Sequence, residues 1–212
     1  MKLYFSPYSS NSRKVRLAAA LLDVPLNLVE IDLARREQTE PEFLRINPMG
    51  RIPVLDDDGF VLVESSAIMI YLSDLSESSL YPKDVKSRAI ANRWLFWSAS
   101  HWEPTIGALV RENVVKAILG LGPPDADQVQ RQEEVLRGLA SVLDQHLASR
   151  EWICGPTITL PDLAVAAAAG NAVRAGFSML PFRAIEGWFA RIRALDAWKS
   201  TLSAPAAVSD SQ

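Results

Sequence analysis

Three short stretches in the first third of the chain carry side chains that chemistry can use. Ser9-Ser10-Asn11-Ser12 falls between a strand-like segment and the start of a helical one. A helix N-terminus offers unpaired N–H groups and the positive end of a dipole, which favour an anion or a thiolate. A serine hydroxyl at that point donates a hydrogen bond to a thiolate and lowers its pKa. Taken alone, the run also reads as capping residues, with Ser12 capping a helix that begins at Arg13. The second stretch, Asn47-Pro48-Met49-Gly50-Arg51-Ile52-Pro53-Val54-Leu55, sets Pro53 at the start of a strand, a place reserved for edges and special turns. With a cis Ile52–Pro53 bond, the backbone groups of Ile52 turn outward and pair with a peptide-like ligand as an extra strand; with a trans bond the segment is an ordinary edge strand. The third stretch, Glu64-Ser65-Ser66-Ala67-Ile68, opens a helix for which Ser65 is the expected cap. Its hydroxyl and N–H suit a carboxylate, and Glu64 beside it suits an ammonium. A carboxylate site next to an ammonium site describes an α-amino acid head group, although a plain N-cap with an acidic neighbour explains this motif when it stands alone.

What is scarce narrows the chemistry further. The 212 residues include one cysteine, Cys154, and two histidines, His101 and His146. No disulfide forms within one chain, and no cysteine-based zinc site or CxxC redox centre can be built, so no metal is expected. Lys and Arg number 22 against 25 Asp and Glu, for a net charge of −3 without a basic block, which argues against a nucleic-acid surface or a polybasic membrane patch. The N-terminal segment has no apolar h-region and does not read as a signal peptide. The longest apolar run, 163–169, falls far short of the roughly 20 residues that span a bilayer, so a cytoplasmic protein is expected.

These residues must be positioned by elements that differ between the two halves. In residues 1–76 short segments alternate: a strand at Lys2–Phe5, a helix at Arg13–Leu22, a strand at Asn27–Asp32 and a short helix at Pro41–Ile46. A hairpin follows, Pro53–Asp56 and Phe60–Val63 around Asp57-Asp58-Gly59, then a helix at Ser65–Leu75 with Ile68, Tyr71, Leu72 and Leu75 inward. This βαβαββα order predicts an α/β domain with a small mixed sheet. Residues 77–84 read as a linker, and 85–202 as an all-α bundle. Within the bundle, helical patterns cover 85–113, 127–147, Pro161–Arg174 and 183–195, the third apolar around its whole circumference and therefore central. The tail, 203–212, has few large apolar residues and reads as disordered.

Taken together, the three stretches resemble the cytosolic glutathione S-transferase family, a likeness that covers nearly the whole chain. NPMGRIPVL followed at this spacing by ESSAI is similar to that family's glutathione-binding signature. Trp152-Ile-Cys-Gly155 followed by Thr159-Leu-Pro-Asp162 resembles its capping box and hydrophobic staple, in which Thr159 caps a helix and Asp162 reaches back to the Thr159 N–H. The resemblance implies a thioredoxin-like domain that binds glutathione as co-substrate and a helical domain that supplies most of an apolar pocket. It implies that the Ile52 backbone, ahead of Pro53, pairs with the cysteinyl part. Glu64 and Ser65 then hold the γ-glutamyl end, while Gln38 and Arg51 lie near the glycine carboxylate. Ser9-Ser10-Asn11-Ser12-Arg13 is similar to serine-type, theta- or zeta-like bacterial members, which makes Ser9 the expected partner of the thiol, with Ser10 the second choice and Ser12 left open.

Two departures bear on the class. The zeta pattern has cysteine at the third position where this chain has Asn11, which tells against a maleylacetoacetate isomerase. In the cysteine-type beta class, a cysteine stands where this chain has Ser10. The expected function is conjugation of small apolar electrophiles, with glutathione peroxidase activity beside it. A glutathione-dependent isomerase or dehalogenase and a binding module without turnover are the alternatives. The second-substrate pocket is expected at Tyr8, Trp97, His101, Trp102 and Thr105. For the tryptophans core packing is the competing role, and for His101 a solvated or interface position. A homodimer is implied, with the first domain of one chain against the helical domain of the other.

Overall fold

The computed structural model describes residues 1–202; the tail at 203–212 lies outside the described residues. β1 (Lys2–Phe5) pairs in parallel with β2 (Asn27–Glu30) and antiparallel with β3 (Val54–Asp57), which returns through Asp58-Gly59 as β4 (Phe60–Leu62). The order in the sheet is β2-β1-β3-β4. The parallel pair needs a crossover, supplied by α1 (Ser10–Leu21). The period of two along β1 then divides its residues between two cores. Leu3 and Phe5 join the main core with Leu55 of β3 and with Val15, Leu17 and Ala18 of α1. Tyr4 faces the other side, where its ring meets Phe43 of α2 (Pro41–Ile46) edge-on at 6.1 Å beside Val54 and Ile31.

Two helix starts differ from the expected ones. The cap of α1 is Ser9, not Ser12: the Ser9 hydroxyl accepts from the Ser12 N–H at 3.2 Å, while the buried Ser12 hydroxyl accepts from the Ser6 N–H at 3.3 Å. Three serines within four residues all qualify by type, and only the chain direction leaving β1 selects among them. Likewise the cap position of α3 (Ser65–Asp74) is Glu64, and Ser65 is its first helical residue. Along α3, Met69 is buried with Ile68 and Leu72, whereas Leu75, expected inward, follows the helix end and is exposed.

Residues 85–119 form one helical run, six residues beyond the expected end at 113. It comprises α4 (Val85–Trp97), a π-helical turn (Ser98–Trp102), α5 (Glu103–Val110), a second π-helical turn (Arg111–Val115) and α6 (Lys116–Leu119). Each π turn adds residues per turn and rotates the phase of the side chains beyond it. For this reason an apolar line extrapolated at period 3.6 from Trp94 and Trp97 fails past Ser98. The bundle continues with α7 (Ala126–Leu147), α8 (Leu160–Arg174), α9 (Arg183–Ala194) and a short α10 (Asp196–Ser200) that periodicity did not announce. As its apolar circumference requires, α8 is central, with 163–169 buried throughout. In the stretch read as a linker, Leu80 and Tyr81 are buried, and the Leu80 carbonyl accepts from the Leu160 N–H at the start of α8.

The start of α8 carries a fully buried carboxylate. Asp162 accepts from the Ile153 N–H, the Thr159 N–H and the Thr159 hydroxyl at 2.9–3.0 Å, and from the Trp188 indole at 2.8 Å. Burial pushes its carboxyl above the ordinary carboxylate range, and the four donors oppose that shift by favouring the ionised form. Asp162 thereby ties the loop before α8 to α9.

The two halves meet on α1. Lys14, 2% exposed, places its ammonium 2.8 and 2.9 Å from the two carboxylate oxygens of Glu103 at the start of α5, and Ser98 donates to the same carboxylate. Arg13 lies 3.6 Å above the Trp198 ring of α10 and donates to the Trp198 carbonyl at 3.2 Å. Gly170 of α8 lies against that contact, close enough that a Cβ there would touch the Trp198 ring at 3.4 Å. A buried charge that loses its partner is costly. Lys14→Met or Glu103→Gln should each lower unfolding free energy by about 3–5 kcal/mol, and Lys14→Met with Glu103→Leu should recover much of the loss. Urea unfolding monitored by tryptophan fluorescence measures both effects, and single variants as stable as the parent would refute the role.

Candidate functional site

The three stretches singled out by residue type come together at one end of the sheet. The proline segment is shaped by its own side chains. Asn47, buried at the end of α2, donates from its amide to the Arg51 carbonyl at 2.7 Å and accepts from the Met49 N–H at 3.1 Å. Gly50 has φ +60, and a Cβ there would stand 3.0 Å from the Gln38 carbonyl oxygen, so a side chain would be strained and would press on the Gln38 loop where it meets this turn. The Ile52–Pro53 bond is cis. Gln38 is thus brought beside the segment that holds Arg51, and its side-chain Oε1 is buried without a hydrogen-bond partner among the described residues.

Across from this turn, Glu64 heads α3 at φ +67 and ψ 106 with an exposed side chain. A non-glycine residue in that region costs on the order of 1–3 kcal/mol, and such outliers gather where a ligand is clamped. Ser65, next to it, is buried, and its hydroxyl donates to Asn11 Oδ1 at 3.1 Å. That bond joins the first turn of α1 to the first turn of α3.

The joined elements border two spaces that share wall residues. A small one of about 80 Å³ has Asn11, Arg51, Ile52, Pro53, Glu64 and Ser65 in its wall. A larger cleft of about 620 Å³ shares Asn11, Arg51, Glu64 and Ser65 with it and extends along Asn92, Leu95, Phe96, Ala99 and Glu103. The face of the long helix that looks into this cleft is therefore the stripe 92, 95, 96, 99 and 103. Trp102 is fully buried and donates from its indole to the Val165 carbonyl, while Trp97 stacks on it at 5.6 Å. Thr105 is buried, donating to the His101 carbonyl at 2.8 Å, and His101 is exposed. Neither described space has any of these four in its wall. Tyr8, half exposed before the cap of α1, stands 5.9 Å beneath the Arg174 guanidinium. Asn11 is the residue that sequence reasoning passed over. Its signal was its place in the serine run, where it was read only as a departure from a cysteine.

Other titratable groups fall outside this region. His146 holds Nε2 2.8 Å from the Ile153 carbonyl, and burial pushes its imidazole below the ordinary value. Cys154, in the turn before α8, has its thiol pushed up to about 11 by burial. Among the described residues no group of three or more His, Cys, Asp or Glu side chains is arranged to hold a metal, and no helix is long and apolar enough to cross a membrane.

The family models match in two blocks: glutathione S-transferase N-terminal domain over residues 3–79 and C-terminal domain over 103–196. The chain is 31% identical to human glutathione S-transferase theta-2B over 92% of its own length and 81% of that protein. Rat glutathione S-transferase theta-2 is 32% identical over 77% of this chain and 68% of its own. Among solved structures, a delta-class glutathione transferase of Nilaparvata lugens superposes with a TM-score of 0.83 at 32% identity, covering 95% of this chain and 94% of that one. The one thiol this chain carries lies outside the walls of this site. With its pKa near 11, Cys154 should react with an aromatic disulfide at pH 8 about a hundredfold more slowly than free cysteine in the native protein. It should recover the free rate in urea, and native reactivity at the free rate would disprove its protection.

Proposed function

The chain belongs to the glutathione S-transferase family and is a glutathione transferase, and on that premise we propose that Ser9 holds the glutathione thiolate for attack on small apolar electrophiles. The observation that carries the reading is the shared wall of the two spaces. Arg51, Ile52 and the pair Glu64–Ser65, suited to three different parts of the tripeptide, line one small space together with Asn11 of the first turn of α1. In this reading the glycine carboxylate lies near Arg51 and Gln38, and the cysteinyl backbone pairs with Ile52. The γ-glutamyl head group sits at Glu64 and Ser65, its carboxylate against the N-terminus of α3 and its ammonium toward Glu64.

A free thiol titrates near about 8.5, so only a few per cent is thiolate at pH 7. Lowering that value by about two units requires roughly 2.7 kcal/mol of preference for the charged form. A hydroxyl donor at the cap of α1 and the positive end of that helix are the sources. The Ser9 oxygen already accepts the Ser12 N–H, which leaves its own proton to donate to sulfur. The sulfur then forms a bond to an electrophilic carbon while the leaving group departs with its electron pair. With an organic hydroperoxide, sulfur attacks the peroxide oxygen to form a sulfenic acid while the alcohol leaves with a proton, and the thiol of a second glutathione then displaces water to give the disulfide.

The reading includes a cytoplasmic homodimer. Met49 and Phe96 in the walls of these spaces, and Phe60 on β4, are exposed large apolar side chains that a second copy would cover. Ser9→Ala should raise the apparent thiol pKa of the enzyme–glutathione complex by about 1–2 units and lower kcat/KM at pH 6.5 at least tenfold. The check is the pH dependence of conjugation to 1-chloro-2,4-dinitrobenzene, and an unchanged profile would remove Ser9 from the role.

A further inference from the structure

A few contacts order the helices around the start of α1. The Trp102 indole donates to the Val165 carbonyl at 3.1 Å and the Asn113 amide to the Ala175 carbonyl at 2.8 Å, so the long helix and α8 run parallel. α1 runs the other way, since Arg13 lies beside Gly170 while Tyr8 lies beneath Arg174. Tyr8 therefore stands level with the second π-helical turn, Arg111–Val115. The face of the long helix turned toward α1 is marked by Glu103, whose carboxylate holds the Lys14 ammonium at 2.8 Å. One turn on, at nearly the same helical phase, comes Gly107, and one turn further Arg111. Gly107 sits inside α5, where glycine is unfavourable, yet a Cβ there would meet nothing within 4 Å. Packing does not demand that glycine. It leaves open space on the face that looks toward the start of α1.

The charged groups at this end are cationic. Arg174 stands 5.9 Å above the half-exposed Tyr8 ring, and Arg111 and Arg174 are both exposed. Neither has an ion pair among the described residues, whereas the carboxylates of this stretch, Glu103 and Glu112, are already engaged by Lys14 and Lys116. A guanidinium without a carboxylate partner, set over an aromatic ring, suits a flat apolar body that bears an anionic group. We infer that the second substrate occupies the space at Gly107, its ring against Tyr8 and an anionic substituent on Arg174 and Arg111, so that the enzyme favours electrophiles bearing a carboxylate or sulfonate over neutral ones of the same shape. The inference rests on the reading that Ser9 holds the sulfur, because Ser9 follows Tyr8 directly and sets the thiolate beside this space. Sulfur bonds to the ring carbon that carries the halogen, the halide departs with its electron pair, and the anionic group stays on the ring throughout.

Conjugation of 4-chloro-3,5-dinitrobenzoate and of its neutral methyl ester, each kcat/KM divided by the uncatalysed rate with glutathione, reads the preference. In the parent the acid should exceed the ester about fivefold, and high salt should erode that ratio. Arg174→Ala should bring the ratio close to one, and Arg174→Lys, which keeps the charge and loses the planar fork, should leave part of it. Arg111→Ala should lower it by a smaller factor. Gly107→Phe fills the space and should lower kcat/KM for both rings about tenfold or more, without a fall in unfolding midpoint, since its side chain enters open space. S-methylglutathione should bind the parent, Arg174→Ala and Gly107→Phe within about twofold of one another, because none of these residues is assigned to the tripeptide. A parent ratio near one, or a ratio that Arg174→Ala leaves unmoved, overturns the inference and leaves the glutathione reading intact. Parent-like turnover of both rings by Gly107→Phe overturns it as well, because the second substrate then lies elsewhere. A parent protein that takes up no glutathione removes the reading beneath it, and the inference with it.

Discussion

The buried ion pair between Lys14 and Glu103 is the constraint on which the rest of the molecule depends. An ammonium withdrawn from water tolerates few positions of its partner, so the 2.8 Å contact fixes α1 against the start of α5. Arg13, one residue earlier, is held on the Trp198 ring at the far end of the chain. Neighbouring side chains of a single helix thus reach two separate parts of the helical domain. The same helix starts at Ser9 and presents Asn11, so the elements that join the domains also set the first turn that faces the cleft. The π-helical turn at Ser98–Trp102 belongs to this arrangement, since it immediately precedes Glu103 and its Ser98 hydroxyl binds the same carboxylate.

The cleft is assembled by local departures from regular backbone. Gly50 permits a close approach that a Cβ would crowd, and Glu64 accepts a positive φ to head α3. Each is unfavourable or intolerant of substitution when taken alone. Together they put Arg51, Ile52, Glu64 and Ser65 around one volume. The scarcity of cysteine and histidine fits this design, because a protein that receives its reactive sulfur with a substrate has no need of a reactive thiol of its own. Burial of Cys154 and His146 removes from the chemistry much of the little sulfur and imidazole present.

The strand alternation of Leu3, Tyr4 and Phe5, the turn at Asp58-Gly59 and the apolar circumference of α8 were legible from local pattern. Each is decided within a few residues by side-chain period or turn chemistry. Register through the long helix was not legible, because the π turns at 98–102 and 111–115 alter the count of residues per turn without a composition signal. Trp97 and Trp102 consequently stack on each other, and the stripe from Asn92 to Glu103 faces the cleft. Nor did periodicity signal α10, a single short turn that is anchored by the contact of Trp198 with Arg13.

By itself the sequence determined the βαβαββα order, the all-helical second half, the family, and the three stretches that form the cleft. These depend on residue type and near-neighbour spacing, which a one-dimensional pattern carries. Tertiary structure alone decided that Ser9, not Ser12, caps α1, that Glu64 and not Ser65 occupies the cap position of α3, and that Asn11 meets Ser65 across 54 positions of chain. Such choices lie between residues of equal local fitness. They are resolved by the direction in which the chain leaves a strand and by which polar groups must find partners once water is excluded, conditions that exist only after the two domains have closed on α1.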